Sequence, residues 1–219
     1  MTAEVVRAAY RAFAEVVTPL GEDDSWRPTG CTGWSVRDLV FHCLLDAQRG
    51  LVALHTPADG APDTDAVSYW EDWKPDRPGA ANGRRWVRVS ASMFPEFGQI
   101  RDVYLETSAA AIIAAAEVEP DQAVTTQGHA LTAADLLTTL AVEATVHHLD
   151  LVSDLPAAPP PSTAGLAAVR TTLDGLLGYA VPLDWSDEQY ALAGTGRTPL
   201  THAERDILGP DAGRFPLFG

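Results

Sequence analysis

Lysine is all but missing from this chain: Lys74 is the sole example, and every other basic residue is an arginine. Positive charge therefore comes as rigid guanidinium forks, suited to gripping carboxylates, and hardly at all as flexible point charges. It is also scarce, with fifteen Lys+Arg against thirty Asp+Glu and a formal charge of -15 over 219 residues. A surface that acidic repels phosphate backbones and anionic headgroups, which argues against a nucleic-acid partner or a membrane surface. Cysteine appears twice, as Cys31 and Cys43. The pair has neither CxxC spacing nor the density of a secreted disulfide scaffold, so both are expected as free, ordinary thiols. Long apolar runs are absent too. The longest, Ala109–Ala116, falls far short of the ~20 residues a bilayer requires. The opening MTAEVVRAAYRAF is interrupted by charge and lacks a signal-peptide core. These deficits leave a cytoplasmic globular protein, monomer or homodimer, with chain enough for one or two domains.

Helical periodicity is what the sequence has in abundance. Val5, Ala8, Ala9, Ala12, Phe13 and Val16 predict a helix over Thr2–Val17, stopped by Pro19 and Gly21. Ser35 and Asp38 form a capping pattern that opens a second helix, expected to reach about Leu54. Residues 56–83, rich in proline and glycine and holding Tyr69, Trp70 and Trp73, are long for a plain connection and read as a flap or a wall packed on helices. A third helical region is expected from about Arg84 to Ala116, bent at Pro95. Its small side chains in SAAAIIAAA suit close helix approach. Thr132 and Asp135 repeat the capping pattern and open a fourth helix to about Val152. After Pro156 and the run Pro159–Pro161, a fifth helix is expected over Thr163–Tyr179. The remainder reads as an extended piece around Gln189–Leu192, a GTGR turn and a short helix capped by Thr201 and Glu204. The fold class implied is mainly α: a four-helix bundle over 1–155, then an additional helix and a small α+β tail over 156–219.

The segment Thr132–Val152, TAADLLTTLAVEATVHHLDLV, carries the chemistry. At 100° per residue, Leu136, Leu140, Ala144 and Leu151 define a buried stripe, and Glu143 and His147 fall in its middle. A carboxylate on an apolar face costs several kcal/mol unless it is paired or metal-bound. Glu-x-x-x-His can direct a carboxylate oxygen and a ring nitrogen at one ion, and catalytic zinc takes three such donors while leaving a position open. A hydrogen-bonded pair without metal is the plainer alternative. Asp150, three residues on, is placed to fix the His147 tautomer from outside the ligand set. His148 points about 100° away and is expected beside the site without being a ligand. The third donor should come from a facing helix, where His42 in VRDLVFHCLLD is the candidate. It shares a stripe with Asp38, Asp46 and Arg49 that a solvated face would also explain, although Phe41, Cys43, Leu44 and Leu45 make this helix apolar nearly all round. His129, at ~1.5 Å rise per residue, lies about 20 Å from Glu143 and drops out.

GWSVRDLVFHCLLD and LAVEATVHHLDL resemble the two signature segments of the DinB-like metal-dependent bundles. Within these they are most similar to the mycothiol-dependent maleylpyruvate isomerase branch and related actinobacterial thiol-dependent enzymes. The resemblance covers roughly residues 1–155. It implies a divalent metal, usually zinc, bound by the residues here numbered His42, Glu143 and His147, and mycothiol as thiol cosubstrate. It further implies activation of that thiol as a thiolate for transfer to, or isomerisation of, a small electrophile. The family's C-terminal domain is not recognisable after Pro161, so its substrate-binding arginine is not carried over. From the residues alone, Arg197 in GTGR is the first choice to hold an anionic substrate, because glycines let a ligand approach and arginine binds carboxylates with two hydrogen bonds. Arg84, Arg85 and Arg88 are the alternatives. A metal hydrolase that activates water, or a metal- or ligand-binding bundle without catalysis, would use the same residues.

Overall fold

The apolar spacing read near the start forms α1 (Thr2–Val17), which buries Val6, Ala9, Tyr10, Phe13, Val16 and Val17. The structure is a computed structural model and describes residues 2–73 and 80–219. A single turn, α2 (Glu22–Ser25), precedes α3 (Val36–Leu54). Ser35 opens α3 as expected, its backbone N–H donating to Asp38 Oδ2 at 2.9 Å. The bundle continues with α4 (Ala80–Ala91), α5 (Phe97–Glu117) and α6 (Ala133–Val152). Helices α1, α6, α3 and α5 close a ring in which each packs on the next. The seam that matters for function lies between α3 and α6, which run antiparallel. Gly50 of α3 faces Leu140 of α6, where an added Cβ would come within 2.7 Å of the leucine methyl. That close approach lets short side chains reach across the seam.

The third helical region departs from its expected form. Proline removes an intrahelical donor and disfavours helix in the residue before it, and Pro95 sits in a true break between α4 and α5, not a bend. The first amide of α5 is satisfied from a distance, Phe97 N–H donating to Glu22 Oε2 at 2.7 Å. The alanines of α5 do what their size allows: Ala111, Ala114 and Ala115 are buried in one half of the bundle core with Val6, Ala47, Leu136 and Leu140. The other half holds Phe13, Leu39, Val40, Phe97, Ile100, Tyr104 and Leu151.

Two strands not anticipated from the sequence, β1 (Ala123–Thr126) and β2 (His129–Thr132), form an antiparallel hairpin leading into α6. Its two-residue turn uses positive φ at both Gln127 (50°) and Gly128 (89°), the geometry that matches strand twist. The proline-rich stretch after α3 runs beside this hairpin, Asp63 N–H donating to Ala130 O at 2.9 Å. Residues 74–79 of the expected flap lie outside the described residues. Tyr69 and Trp70, on a 3-10 turn over Ser68–Asp72, are buried as packing, with Trp70 4.3 Å from Phe218 between ring centroids.

The chain after α6 builds a second core on the outer face of that helix. Val142, Val146 and Leu149 of α6 meet Leu166, Val169, Leu173, Tyr190, Leu217 and Phe218. The fifth long helix, α7 (Thr163–Leu177), stops short of Tyr179 because Gly178 takes the left-handed conformation at φ 92°. The extended piece expected around Gln189–Leu192 is instead helical, α8 (Asp187–Gly194). There the capping residues Ser186 and Gln189 bond reciprocally at 2.9 and 3.2 Å, and Tyr190 and Ala191 become fully buried. With α9 (His202–Leu208) and a 3-10 turn over Gly209–Arg214, the described tail is helical and the expected β component is corrected. Ser186→Ala should lower stability by about 1 kcal/mol, seen as a lower urea midpoint; an unchanged midpoint would mean the cap contributes nothing. No helix among the described residues is long and apolar enough to cross a membrane.

Candidate metal centre

Antiparallel α3 and α6 bring His42 opposite Glu143 and His147. His42 Nε2 lies 3.0 Å from His147 Nε2 and 3.2 Å from Glu143 Oε1. The third side of the triangle, His147 Nε2 to Glu143 Oε1, is 3.3 Å. Donors held at 2.0–2.2 Å by one tetrahedral ion stand about 3.3–3.6 Å apart, so the three atoms are gathered to nearly the spacing that a shared cation sets. The stripe on which Glu143 was placed is buried, with Leu136, Leu140, Ala144 and Leu151 all below a tenth exposed. The Glu143 side chain itself remains 27% exposed. One side of the triangle is therefore reachable from solvent.

Asp46, one turn after His42, shows what the cluster lacks. Its Oδ2 is buried and accepts no hydrogen bond from any described residue, yet lies 3.1 Å from His42 Nε2. Burial, only partly opposed by His42 and reinforced by Glu143, pushes its carboxyl up to about 6. Burial disfavours the charged form of Glu143 as well, but His147 and His42 outweigh it and hold that carboxyl well below the usual range. For His147 burial disfavours the charged ring, and the Cys31 sulfur, Glu143 and the Asp150 hydrogen bond overcome it, raising its proton affinity. Two carboxylates converge on two imidazoles with a buried acceptor left over: the donor set fits a divalent cation. Sequence reasoning missed Asp46 because its i, i+4 relation to His42 looked like a solvated face.

His147 is gripped from behind. Its Nδ1 donates to Asp150 Oδ2 at 2.9 Å, which assigns a proton to Nδ1 and makes Nε2, facing His42 and Glu143, the nitrogen a cation would take. Trp34 covers the cluster, its ring centroid 5.1 Å from that of His42 and 6.4 Å from that of His147. Trp34 Nε1 donates to the Arg84 carbonyl at 3.3 Å, bringing the start of α4 alongside. The side chains of Arg84, Arg85 and Arg88 are themselves exposed.

The structure does not bring every expected residue to the site. His148 is buried, but its Nε2 pairs with the Pro159 carbonyl at 2.9 Å and its ring meets Phe13 edge-on, on another side of α6. His129, which the sequence already sets aside, is bonded to Asp63 and Asp72. Arg197 does approach, yet its Nε and Nη2 both donate to Asp150, at 2.9 and 2.8 Å, so it is not an unoccupied clamp. Cys31 is free, as expected, but no bystander. Its Sγ lies 3.1 Å from Asp150 Oδ2 and 3.7 Å from His147 Nδ1. Burial, partly offset by His147, raises its thiol above the ordinary value. Nothing in the spacing of Cys31 announced this, because the contact is made by the fold of the loop before α3.

Among solved structures, the chain is similar to the mycothiol-dependent maleylpyruvate isomerase, with a TM-score of 0.55 at 17% identity over 80% of this chain and 68% of that one. A histidine-to-alanine mutant of that isomerase gives 0.53 at 15% identity, over 78% and 68% of the two chains. At such identities the likeness establishes the fold. No curated protein matches the chain. The family model described as the mycothiol maleylpyruvate isomerase N-terminal domain matches residues 6–152, from within α1 to the end of α6. Since that stretch holds the bundle and all three clustered donors, the chain belongs to the mycothiol maleylpyruvate isomerase N-terminal domain family.

Proposed function

We propose that this protein is a metal-dependent enzyme that uses a low-molecular-weight thiol, mycothiol, on a small electrophilic substrate, with isomerisation by thiol addition and elimination as its reaction. One observation carries the metal: two imidazole Nε2 atoms and a carboxylate oxygen within 3.0–3.3 Å of one another, with a buried Asp46 oxygen beside them that accepts no hydrogen bond among the described residues and lies 3.1 Å from His42 Nε2. Family membership supports the thiol and the reaction class. His42, Glu143 and His147 would hold the ion, zinc being the choice that two imidazoles and a carboxylate suit. Bound there, a divalent ion favours thiolate over thiol near neutral pH, and the thiolate is the nucleophile.

The chain's own residues do the rest. The three donors occupy one side and leave the partly exposed Glu143 side open to an incoming thiol. Asp150 holds the His147 ring so that its lone pair needs no reorientation. Trp34 excludes water from the opposite face of both imidazoles. Asp46 Oδ2 offers an acceptor 3.1 Å from His42 Nε2. Neither protein cysteine is the nucleophile in this reading: Cys43 is buried with a strongly raised thiol, and Cys31 donates to Asp150. We assign ion binding to residues 1–155, with 156–219 packed against the ligand helix.

Elemental analysis of the purified protein should find about one divalent ion per chain, and His42→Ala should abolish it. Cobalt-substituted protein titrated with mycothiol should then develop a thiolate-to-metal charge-transfer band. Bound metal without a spectral change would replace the thiol reading by a hydrolase or a non-catalytic binder; no bound metal would end both.

A further inference from the structure

Asp150 is the most heavily engaged side chain near the centre, and its partners come from three separate parts of the chain. It is 1% exposed. Its Oδ2 accepts from His147 Nδ1 at 2.9 Å, Arg197 Nη2 at 2.8 Å and Cys31 Sγ at 3.1 Å, while Oδ1 accepts from Arg197 Nε at 2.9 Å. The loop before α3 presses on it as well: Gly30 N–H donates to the Asp150 carbonyl at 2.9 Å. A Cβ at Gly30 would stand 2.5 Å from Oδ1 and 3.0 Å from the Asp150 Cα. Arg197 is fixed in turn. Its backbone N–H donates to Leu192 O at 2.8 Å and its Nη1 to Thr195 O at 3.0 Å, in a turn made possible by Gly196 at φ 77°.

Cys31, His147 and Asp150 also offer three donor atoms within 4.8 Å of one another. A second cation does not belong there, because the guanidinium already neutralises the carboxylate and His147 Nδ1 points its proton at it. The cluster is a hydrogen-bonded relay. An ionised carboxylate clamped by a bidentate arginine has its oxygens fixed in direction as well as in charge. A carboxylate so fixed sets both the tautomer and the orientation of the imidazole it holds.

We propose that Arg197, supplied by the C-terminal part of the chain, is a positioning residue for the metal centre. Acting through Asp150, it locks His147 with its proton on Nδ1 and its Nε2 lone pair at the place where His42 and Glu143 converge. This role rests on the metal-binding reading above. It replaces the direct substrate contact expected of Arg197 from the sequence. It also gives the chain beyond α7 a part in binding the ion without touching it.

The test uses full-length protein and two readouts: cobalt affinity by competition with a chromophoric chelator, and the imidazole N–H proton of His147 in the zinc-loaded form by NMR. Arg197→Gln should weaken cobalt binding 10–100-fold, the range typical of outer partners of metal ligands, with helicity and cooperative unfolding retained. Arg197→Lys should recover only part of the loss, since one ammonium cannot reproduce the fork. Wild-type protein should show a slowly exchanging, downfield Nδ1 proton on His147, which Arg197→Gln should broaden. Wild-type affinity in Arg197→Gln, or equal losses in the Gln and Lys variants, would overturn the proposal. So would a His147 proton on Nε2 in the wild type, which requires no variant to fold. Gly30→Ala changes no side chain of the relay while its Cβ crowds Asp150 Oδ1 and Cα, and should reproduce the affinity loss. The metal-binding reading fails separately, if wild type and Glu143→Ala bind cobalt alike.

Discussion

Glu143→Ala is expected to yield a folded bundle that no longer copurifies with stoichiometric metal, its affinity falling by more than the 10–100-fold that outer-partner changes cost. Glu143 supplies the single carboxylate oxygen of the gathered trio, so its removal takes away both a donor and the negative charge that offsets a divalent ion. The remaining imidazoles, 3.0 Å apart at Nε2, bring no negative charge when they bind a metal. The fold should survive, because the Glu143 side chain is 27% exposed at the rim and alanine is the best helix former for that position. Two measurements separate the effects. Elemental analysis should show far less than one equivalent of metal where wild type retains one. Thermal melts should show the metal-free variant close to the metal-free wild type, without the rise that saturating ion gives the latter, about 2.7 kcal/mol at a hundred times Kd. Glu143→Gln keeps the shape and loses the charge; Asp46, 3.1 Å from His42 Nε2, is the nearest carboxylate able to compensate. Retention of one equivalent by Glu143→Ala would remove the basis for the metal centre.

The seam between α3 and α6 could be read from the sequence because both helices advertise themselves locally. Ser35 with Asp38, and Thr132 with Asp135, mark their starts, and Glu143 and His147 interrupt an apolar stripe whose period is unambiguous. Elsewhere local signals competed with tertiary context. Gln189–Leu192 looked extended, but the reciprocal Ser186–Gln189 cap and the full burial of Tyr190 favour helix. The hairpin before α6 hid in four-residue strands, and only the Gln127-Gly128 pair signalled its turn. The convergence of Cys31, Gly30 and Arg197 on Asp150 had no local signature at all. Two loops and a helix, with residues as far apart in sequence as Gly30 and Arg197, meet there because the loop before α3 and the tail both pack on the last turns of α6. The sequence offers Arg197 in its glycine-rich turn as a clamp for an anionic substrate, and the anion it grips in the structure is a carboxylate of the protein itself, Asp150.

Phe13→Ala should produce the largest loss of stability of any substitution considered, about 3–5 kcal/mol, the range for emptying a fully buried aromatic site. Phe13 is 0% exposed and sits edge-on to Tyr104 at 5.3 Å and to His148 at 6.0 Å, tying α1 to α5 and α6. It also borders a small cavity lined by Tyr10, Cys43, Asp46, Tyr104, Leu140, Glu143 and Ala144, so the space it vacates would merge with one already present and the walls have little to collapse onto. Against a typical total of 5–15 kcal/mol, a loss of that size should bring the urea midpoint down steeply with the slope unchanged; Phe13→Leu should lose much less. A shift below about 1 kcal/mol would mean the bundle repacks around the gap. The cavity reaches the undersides of Asp46 and Glu143, yet Phe13 touches none of the donor atoms, so metal affinity measured well below the melting point should change far less than in Glu143→Ala. One substitution empties the core and keeps the ion, the other keeps the core and loses the ion, and that opposition is what a site built on the surface of a packed seam requires.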